Sequence, residues 1–454
     1  MHNWRRPILG FYDTQLRRNP IPALTEFLNE FYDRPMAHRR QVQAKRVSEL
    51  LLHAARNVPY YRDVLSENKI VKGGEVDLAR FRHVPELTRD LLHSEFERLK
   101  SEDLASRAWY KNHSGGTTGL PVSFLQDYDY LVISQATGGM HYAWAGRSSG
   151  EPMVTLWGSD RDLRLKTLGW RNKLGNFMRN RTVLNSFNMK ISDMQHYVRR
   201  IRKIRPVIIE AYAESIYELA HYMNASNIRI SGVKNVITAA GTLYPFIRDE
   251  IERAFGCPTL NRYGTREVSG IAGERVAGAG LEVFNYTHLV EVVNNQGEPC
   301  APGEEGDVLV TCLTNFAMPI IRYRIDDRAV VGTTVFEPIP SVERLETVTG
   351  RVIDAFIRED GSTVPGIFFI AFLVVIQEAS KFKKIQFIQE DYNVISIKLV
   401  TTTRPPGGAL EEIRSSLQRA IGPTCRVDFE LVDSIPTHSS GKYQYFVSKV
   451  QRPS

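Results

Sequence analysis

Hydrophobic and polar positions follow three successive rhythms along the chain. In the first hundred residues, apolar positions recur at intervals of three and four in LTEFLNEFY and HRRQVQAKRVSELLLHAAR, which predicts amphipathic helices. Asn57-Val58-Pro59-Tyr60 predicts where the second helix stops, because proline lacks an N–H and restricts the residue before it. Residues 1–100 read as a helical flange across a larger body. From about residue 105 to 340, short apolar runs alternate with helical stretches. PMVTLW, TVLNSF, PVIIEAY, VKNVITAAG and GDVLVTCL read as strands, and AESIYELAHYMN and YPFIRDEIERAF as helices between them. Leu289–Asn294 and the loop after it lead to a strand at Asp307–Leu313. After Thr349-Gly350 the rhythm changes again: IQFIQ, YNVISIKLV, the helix ALEEIRSSLQRAIG and TCRVDFELV make a β-β-α-β series. The pattern predicts an α/β chain with a large multi-sheet N-terminal body (1–100 and 101–348) and a small α+β C-terminal domain (349–454).

A length of 454 residues exceeds one ordinary core, in keeping with that division. Composition is that of a soluble folded protein, with 43% apolar and 24% charged residues. The four cysteines, at 257, 300, 312 and 425, form neither a CxxC knuckle nor a small-domain disulfide framework, which suits a reducing, cytoplasmic setting. MHNWRRPILGFYDTQ lacks the apolar core of a signal peptide. Gly366–Ile376, GIFFIAFLVVI, is shorter than the ~17 residues of a spanning helix and reads as a buried element, with a peripheral membrane contact as the alternative. The net charge of +7 is uneven. Asp160–Arg181 carries seven Lys or Arg against two Asp, and Arg199–Arg205 adds five more cations. These read either as a solvated basic face or as a landing surface for an anion such as a coenzyme tail. No nucleic-acid recognition pattern accompanies them.

Candidate chemistry sits in four polar segments. Ser114-Gly115-Gly116-Thr117-Thr118-Gly119 offers three glycines and three hydroxyls between two extended stretches. Glycines let backbone N–H groups turn inward, and hydroxyls donate to phosphate oxygens, so the segment reads as a hairpin loop over phosphates. Its spacing differs from GxxxxGK[ST]. Asn261–Glu267, read as following a short strand, brings an aromatic, a glycine and a carboxylate that could stack on a base and hold Mg²⁺. In IRYRIDD, a carboxylate could grip both ribose hydroxyls, with Arg324 ordering it, or the segment could be a surface ion-pair cluster. Lys442 follows Pro436–Gly441, a glycine-marked turn from which a cation could swing onto developing negative charge.

Together, and in this order, the segments resemble the adenylate-forming superfamily, in the branch of phenylacetate–CoA ligases and capsule-biosynthesis ligase-like proteins. SGGTTGLP resembles the family's phosphate loop, and Ala240-Gly241-Thr242 stands where the family has an adenine-side loop. Tyr263, Gly264 and Glu267 fit YGxTE, with Thr265 one place before the family's hydroxyl residue as a further nucleotide-binding candidate and Glu267 implied as the Mg²⁺ ligand. Ala317–Asp327 resembles MPxIRYRTxD, whose final carboxylate, Asp327, would hold the ribose. Gly350-Arg351 would begin the hinge of a mobile lid, and Lys442 matches the terminal catalytic lysine. The resemblance implies ATP, Mg²⁺ and a small carboxylic acid, giving an acyl-adenylate and pyrophosphate and then a thioester with coenzyme A. Transfer to an amine is the enzymatic alternative, and a catalytically degenerate nucleotide-binding scaffold the non-enzymatic one. A homodimer stays open. The acid's pocket is expected between Met140–Trp144 and Thr238–Leu243.

The chain departs from the family pattern at three places. Arg266 stands where a hydroxyl residue is usual, and it is a candidate for that residue's contact to phosphate. Ile353 takes the place of the hinge aspartate, with Asp354 following. The stretch after YGxTE offers Arg275 and Glu282 in place of zinc-binding Cys and His, so no structural zinc is expected.

Overall fold

The computed structural model describes residue 5 and residues 19–114, 122–157, 175–186, 191–332, 339–351, 355–359, 363–365, 382–401, 407–435 and 445–450. Gly115–Pro121, residues 158–174, Val352–Asp354, Gly366–Ile376 and Lys442 lie outside them. The chain divides into two compact units, Met1–Leu243 with Ile247–Val348, and Tyr244–Phe246 with Thr349–Ser454.

The first unit opens with α1 (Ile21–Asp33), α2 (Met36–Asn57) and α3 (Pro59–Glu67). Val58 is extended, at φ −120° and ψ 110°, and Pro59 starts α3, so the Val-Pro step breaks the helix as proline chemistry requires. A small ribbon, β1 (Val71–Lys72) with β2 (Glu75–Val76), precedes α4 (Arg89–Ser94), whose N-cap Thr88 accepts from the Leu91 N–H. A hairpin of β3 (Trp109–His113) and β4 (Ser123–Asp127) leads into α5 (Tyr128–Trp144). Then β5 (Met153–Leu156), β6 (Arg181–Leu184), α6 (Ile191–Ile204), β7 (Ile208–Tyr212), α7 (Ala213–Ala225), β8 (Asn235–Ala239), α8 (Pro245–Phe255) and β9 (Thr259–Thr265) alternate as the sequence predicts. The antiparallel strands β10 (Ser269–Gly273), β11 (Leu281–Val283), β12 (His288–Val293) and β13 (Glu305–Cys312) follow, with β14 (Tyr323–Val331) and β15 (Arg344–Arg351) completing the sheet.

These strands form one eleven-stranded sheet in the order β12-β13-β14-β15-β11-β10-β9-β8-β7-β5-β6. From β6 to β9 the pairs are parallel, and β5, β7 and β8 inside this half are buried along almost their whole length because both faces are covered. The main core lies against the other half, where Leu50, Leu51 and Ala54 of α2 and Tyr61 of α3 join Val290, Val308 and Val310. The predicted flange is thus part of the core. A second cluster packs Leu28, Phe31 and Tyr32 of α1 on Met140 of α5 and Phe284.

In the second unit, β16 (Ala355–Ile357) pairs with β17 (Thr363–Pro365). β18 (Phe382–Asp391), β19 (Val394–Thr401), α9 (Gly407–Ile421), β20 (Arg426–Leu431) and β21 (Phe446–Ser448) follow, with sheet order β20-β19-β18-β21. Phe356, Phe387 and Phe446 fill its centre. Gln389 of β18, fully buried, donates to and accepts from the Ile357 backbone of β16, so its amide is satisfied where the ribbon meets the sheet.

Candidate active site

The hairpin β3–β4 brackets the glycine loop. Ser114 N–H donates to the Val122 carbonyl at 2.8 Å, and Ser114 Oγ accepts from Val122 N–H at 2.9 Å. Arg89 Nη2 also donates to Ser114 Oγ, at 3.3 Å. Ser114 is therefore a buried fastener at the root of the loop. Gly115, Gly116, Thr117, Thr118 and Gly119 are outside the described residues.

The residues that tie the candidate segments together are Gln126 and Asp127, at the end of β4. Gln126 Oε1 accepts from Asn112 Nδ2 at 3.0 Å, and Gln126 Nε2 donates to the carbonyls of Arg266 and Glu267, both at 3.1 Å. Asp127 Oδ2 accepts from the N–H groups of Phe316 and Ala317, at 2.6 and 3.1 Å. Asn315 returns the contact: its amide donates to the carbonyls of Leu125 and Met318, and its Oδ1 accepts from Asp127 N–H. Burial lifts the Asp127 carboxyl above the ordinary range, against the Phe316 N–H and Arg107, which lower it. Sequence reading missed both residues. Their only signal was two polar side chains directly after the apolar pair Phe124-Leu125.

The Asn261 segment sits differently from its expectation. Asn261–Thr265 does not follow a strand; it is the greater part of β9, and Arg266, Glu267 and Val268 form the turn into β10. Ser269 closes that turn at φ 64°. A Cβ on Gly264 would lie 2.3 Å from the Ser269 carbonyl oxygen, so glycine is sterically required there. Tyr263, buried, donates its hydroxyl to Asp327 Oδ2 at 2.8 Å, which brings two candidate residues 64 positions apart into contact.

Asp327 lies on β14 within a register shift, between Arg324 opposite Leu309 and Arg328 opposite Asp307, with Asp326 at φ 62°. Arg324 does not order it. The Arg324 guanidinium is taken by Glu86 at 2.7 Å and by Asp307. Arg322 is likewise structural: buried, it pairs with Glu291 at 3.0 Å and donates to the carbonyls of Arg82 and Val84.

At the carboxyl ends of the parallel strands, where ligands bind in open α/β sheets, Ala240 has φ 65° and Gly241 meets the Glu214 carboxylate. A Cβ on Gly241 would be 2.2 Å from Glu214 Oε1. Thr242 is half-buried beside them. Trp157, after β5, lies 4.1 Å from Tyr212 between ring centroids. Beneath this edge, Glu210 is buried and accepts from Tyr142 at 2.9 Å, from Arg262 at 2.5 Å and from Arg181 at 3.4 Å. Burial alone would raise its pKa, but Arg262 and Arg181 outweigh it and hold the carboxyl below the ordinary range. Met140 and Trp144, expected near the acid, are core residues beside Tyr32 and Phe284; only Tyr142 turns toward the sheet cluster.

Glu267 is buried, and among the described residues no hydrogen-bond donor reaches its carboxylate. Nor do the described residues contain a cluster of three or more His, Cys, Asp or Glu with metal-binding geometry. A lone carboxylate fits Mg²⁺, which is usually held by one or two carboxylates and substrate phosphates. Arg275 pairs with Asp33 and lies over the Trp144 ring, and Glu282 pairs with Arg39. Arg351 ends β15; Ile353, Asp354 and Lys442 are not among the described residues.

Residues 356–449 match the family described as the CapK C-terminal domain. Protein CapK of Staphylococcus aureus is 21% identical over 424 residues, covering 90% of this chain and 89% of that protein. The phenylacetate-coenzyme A ligase of Escherichia coli (strain K12) is 25% identical over 333 residues, covering 71% and 74%. A crystal structure of 2-hydroxyisobutyryl-CoA ligase in the postadenylation state superposes with a TM-score of 0.68 at 17% identity, covering 91% of this chain and 90% of that one. By these comparisons the chain is similar to CapK and to the phenylacetate–CoA ligases over most of its length, and its C-terminal part matches the CapK domain. Its body and its C-terminal domain have the fold of adenylate-forming ligases. β4 ties two of the candidate segments into one frame, since Gln126 holds the turn of Arg266 and Glu267 and Asp127 holds the segment that leads to Asp327.

Proposed function

We propose that the chain activates a small carboxylic acid with ATP, releasing pyrophosphate and forming an acyl-adenylate, and then transfers the acyl group to coenzyme A. The Tyr263–Asp327 hydrogen bond carries this reading: an aromatic that can flank a base holds a carboxylate that can grip a ribose. Adenylation is chemically reasonable because an unactivated carboxylate has no good leaving group, and AMP supplies one.

In this assignment the loop Gly115–Gly119 cradles phosphates, Ala240-Gly241-Thr242 borders the adenine, and Asp327 takes the ribose hydroxyls. Thr265 and Arg266 flank the phosphates, and Glu267 would hold Mg²⁺, which when bound neutralises phosphate charge. Arg351 opens the hinge, and Lys442 stabilises charge between carboxylate and α-phosphate. Preorganisation comes from the protein: Gln126 and Asn112 fix the turn bearing Glu267 before any ligand arrives.

The test is ATP–pyrophosphate exchange over aryl, fatty, amino and sugar acids, followed by acceptor assays with coenzyme A and amines. Exchange that depends on one acid class, and is much weaker with 2′-deoxy-ATP, supports the reading. No exchange with any acid would favour a nucleotide-binding scaffold, and an adenylate that passes only to amines would replace coenzyme A as acceptor.

A further inference from the structure

The opposite end of the parallel strands carries a second feature. The loops that enter β5, β6, β7 and β8 join into one face. Lys234 Nζ donates to the Gly146 carbonyl at 2.9 Å, Arg147 Nη2 to the Arg179 carbonyl at 2.9 Å, and Asn180 Nδ2 to the Gly150 carbonyl at 3.1 Å. Arg202 Nη2 donates to the Arg229 carbonyl at 3.1 Å. On and beside this face the last two turns of α6 and the residue after it expose Arg199, Arg200, Arg202, Lys203 and Arg205, and the next loop exposes Arg229.

None of these six makes an ion pair among the described residues, and Arg202 and Arg229 donate to carbonyl oxygens. The carboxylates at the border are engaged elsewhere. Glu151 accepts from Ser148 N–H, Glu250 pairs with Arg253 and His221, and Glu252 accepts from Thr259 N–H. Among the described residues the six cations are therefore left without a paired carboxylate.

The same face exposes an aromatic ring. Phe177 is 60% exposed, next to Arg179 and just before β6, and its carbonyl accepts from Asn180 N–H. The guanidinium of Arg5 lies 5.3 Å from its ring centroid. A polyanion in solution rewards the cations alone. An anionic bilayer rewards both features, because headgroup phosphates meet the cations and the interface takes up the ring.

We propose that this face docks the body on an anionic lipid bilayer, with the candidate active site at the far ends of the same strands. The test is co-sedimentation of the full chain with vesicles of phosphatidylcholine alone or mixed with phosphatidylglycerol. Binding is expected only with phosphatidylglycerol, weakening as salt rises. Arg199→Ala/Lys203→Ala should lower partitioning about 25-fold, at about fivefold per cation near an anionic surface. Arg200→Ala/Arg205→Ala should act similarly, which guards against a fault peculiar to one pair, and melting temperatures should match wild type. Phe177→Ala should weaken vesicle binding while leaving heparin binding unchanged. No sedimentation with phosphatidylglycerol at low salt, or wild-type binding by both charge variants, would overturn the proposal. So would wild-type vesicle binding by Phe177→Ala together with equally tight heparin binding, which would mark a general polyanion surface.

Discussion

The Tyr263 hydroxyl holds Asp327 in one orientation before nucleotide arrives. Removing it with Tyr263→Phe keeps the ring and deletes one hydrogen bond to a charged group, a bond of about 1.5–3 kcal/mol. If Asp327 grips the ribose, the apparent KM for ATP should rise about tenfold with kcat nearly unchanged, since the contact serves ground and transition states alike. Steady-state kinetics with varied ATP checks this, and an unchanged KM would sever the link between Tyr263 and nucleotide binding.

Two other buried residues set a pH dependence of stability. Burial pushes the His288 pKa down from 6.5 to about 4, against the Val268 carbonyl, which raises it. Between those values the unfolded chain binds a proton that the folded chain does not. The contribution is complete above pH 6.5 and is lost as pH falls toward 4, at about 1.4 kcal/mol per pH unit. Glu343 has the opposite sign. Burial raises its pKa from 4.5 to about 7, against Arg40 and Arg39, so its contribution is present below pH 4.5 and lost as pH rises through 7. The two slopes oppose each other over the shared window, so urea unfolding there should show stability falling with pH in His288→Gln and rising with pH in Glu343→Gln, each relative to wild type. Identical slopes in all three proteins would refute both assignments.

At the scale of elements, β4 matters more than its five residues suggest. Gln126 is the donor that the Arg266 and Glu267 carbonyls share, and Asp127 and Asn315 lock the segment before β14. Gln126→Ala leaves both carbonyls without that donor and frees the turn. A loss of about 1–3 kcal/mol in stability is expected, with adenylation falling further than the shift in folded population explains. Pyrophosphate exchange well below the melting temperature separates the two effects; full activity there would show that the turn needs no anchor. The helices and parallel strands of this unit follow their hydrophobic rhythm, as α7 and α8 illustrate. β9 did not read correctly because its polar motif, Asn261–Thr265, interrupts the apolar run while the backbone continues the strand.

At the scale of the whole molecule, the chain forms two units. Lys442 falls in the segment of the second, where sequence order alone assigns it. Lys442→Ala should cut adenylation by about 10²–10³-fold, as for loss of one strong electrostatic donor, with the melting temperature unchanged. Near-normal exchange would remove the lysine from the reaction.

By itself the sequence determined the class of fold, the alternation of strands and helices, the helix break at Val58-Pro59 and the order of the candidate motifs, because periodicity, proline chemistry and motif order are local properties of the chain. Tertiary structure alone decided which partners those motifs take. Tyr263 meets Asp327 and Arg324 goes to Glu86, although spacing along the chain favoured the reverse. The bulge in β14 and the sheet order set those distances, and both depend on contacts between residues far apart in sequence. The same holds for Gln126, whose role exists only because β4 packs beside the β9–β10 turn. It holds too for the basic face, where α6 and three other loops bring scattered cations to one end of the strands.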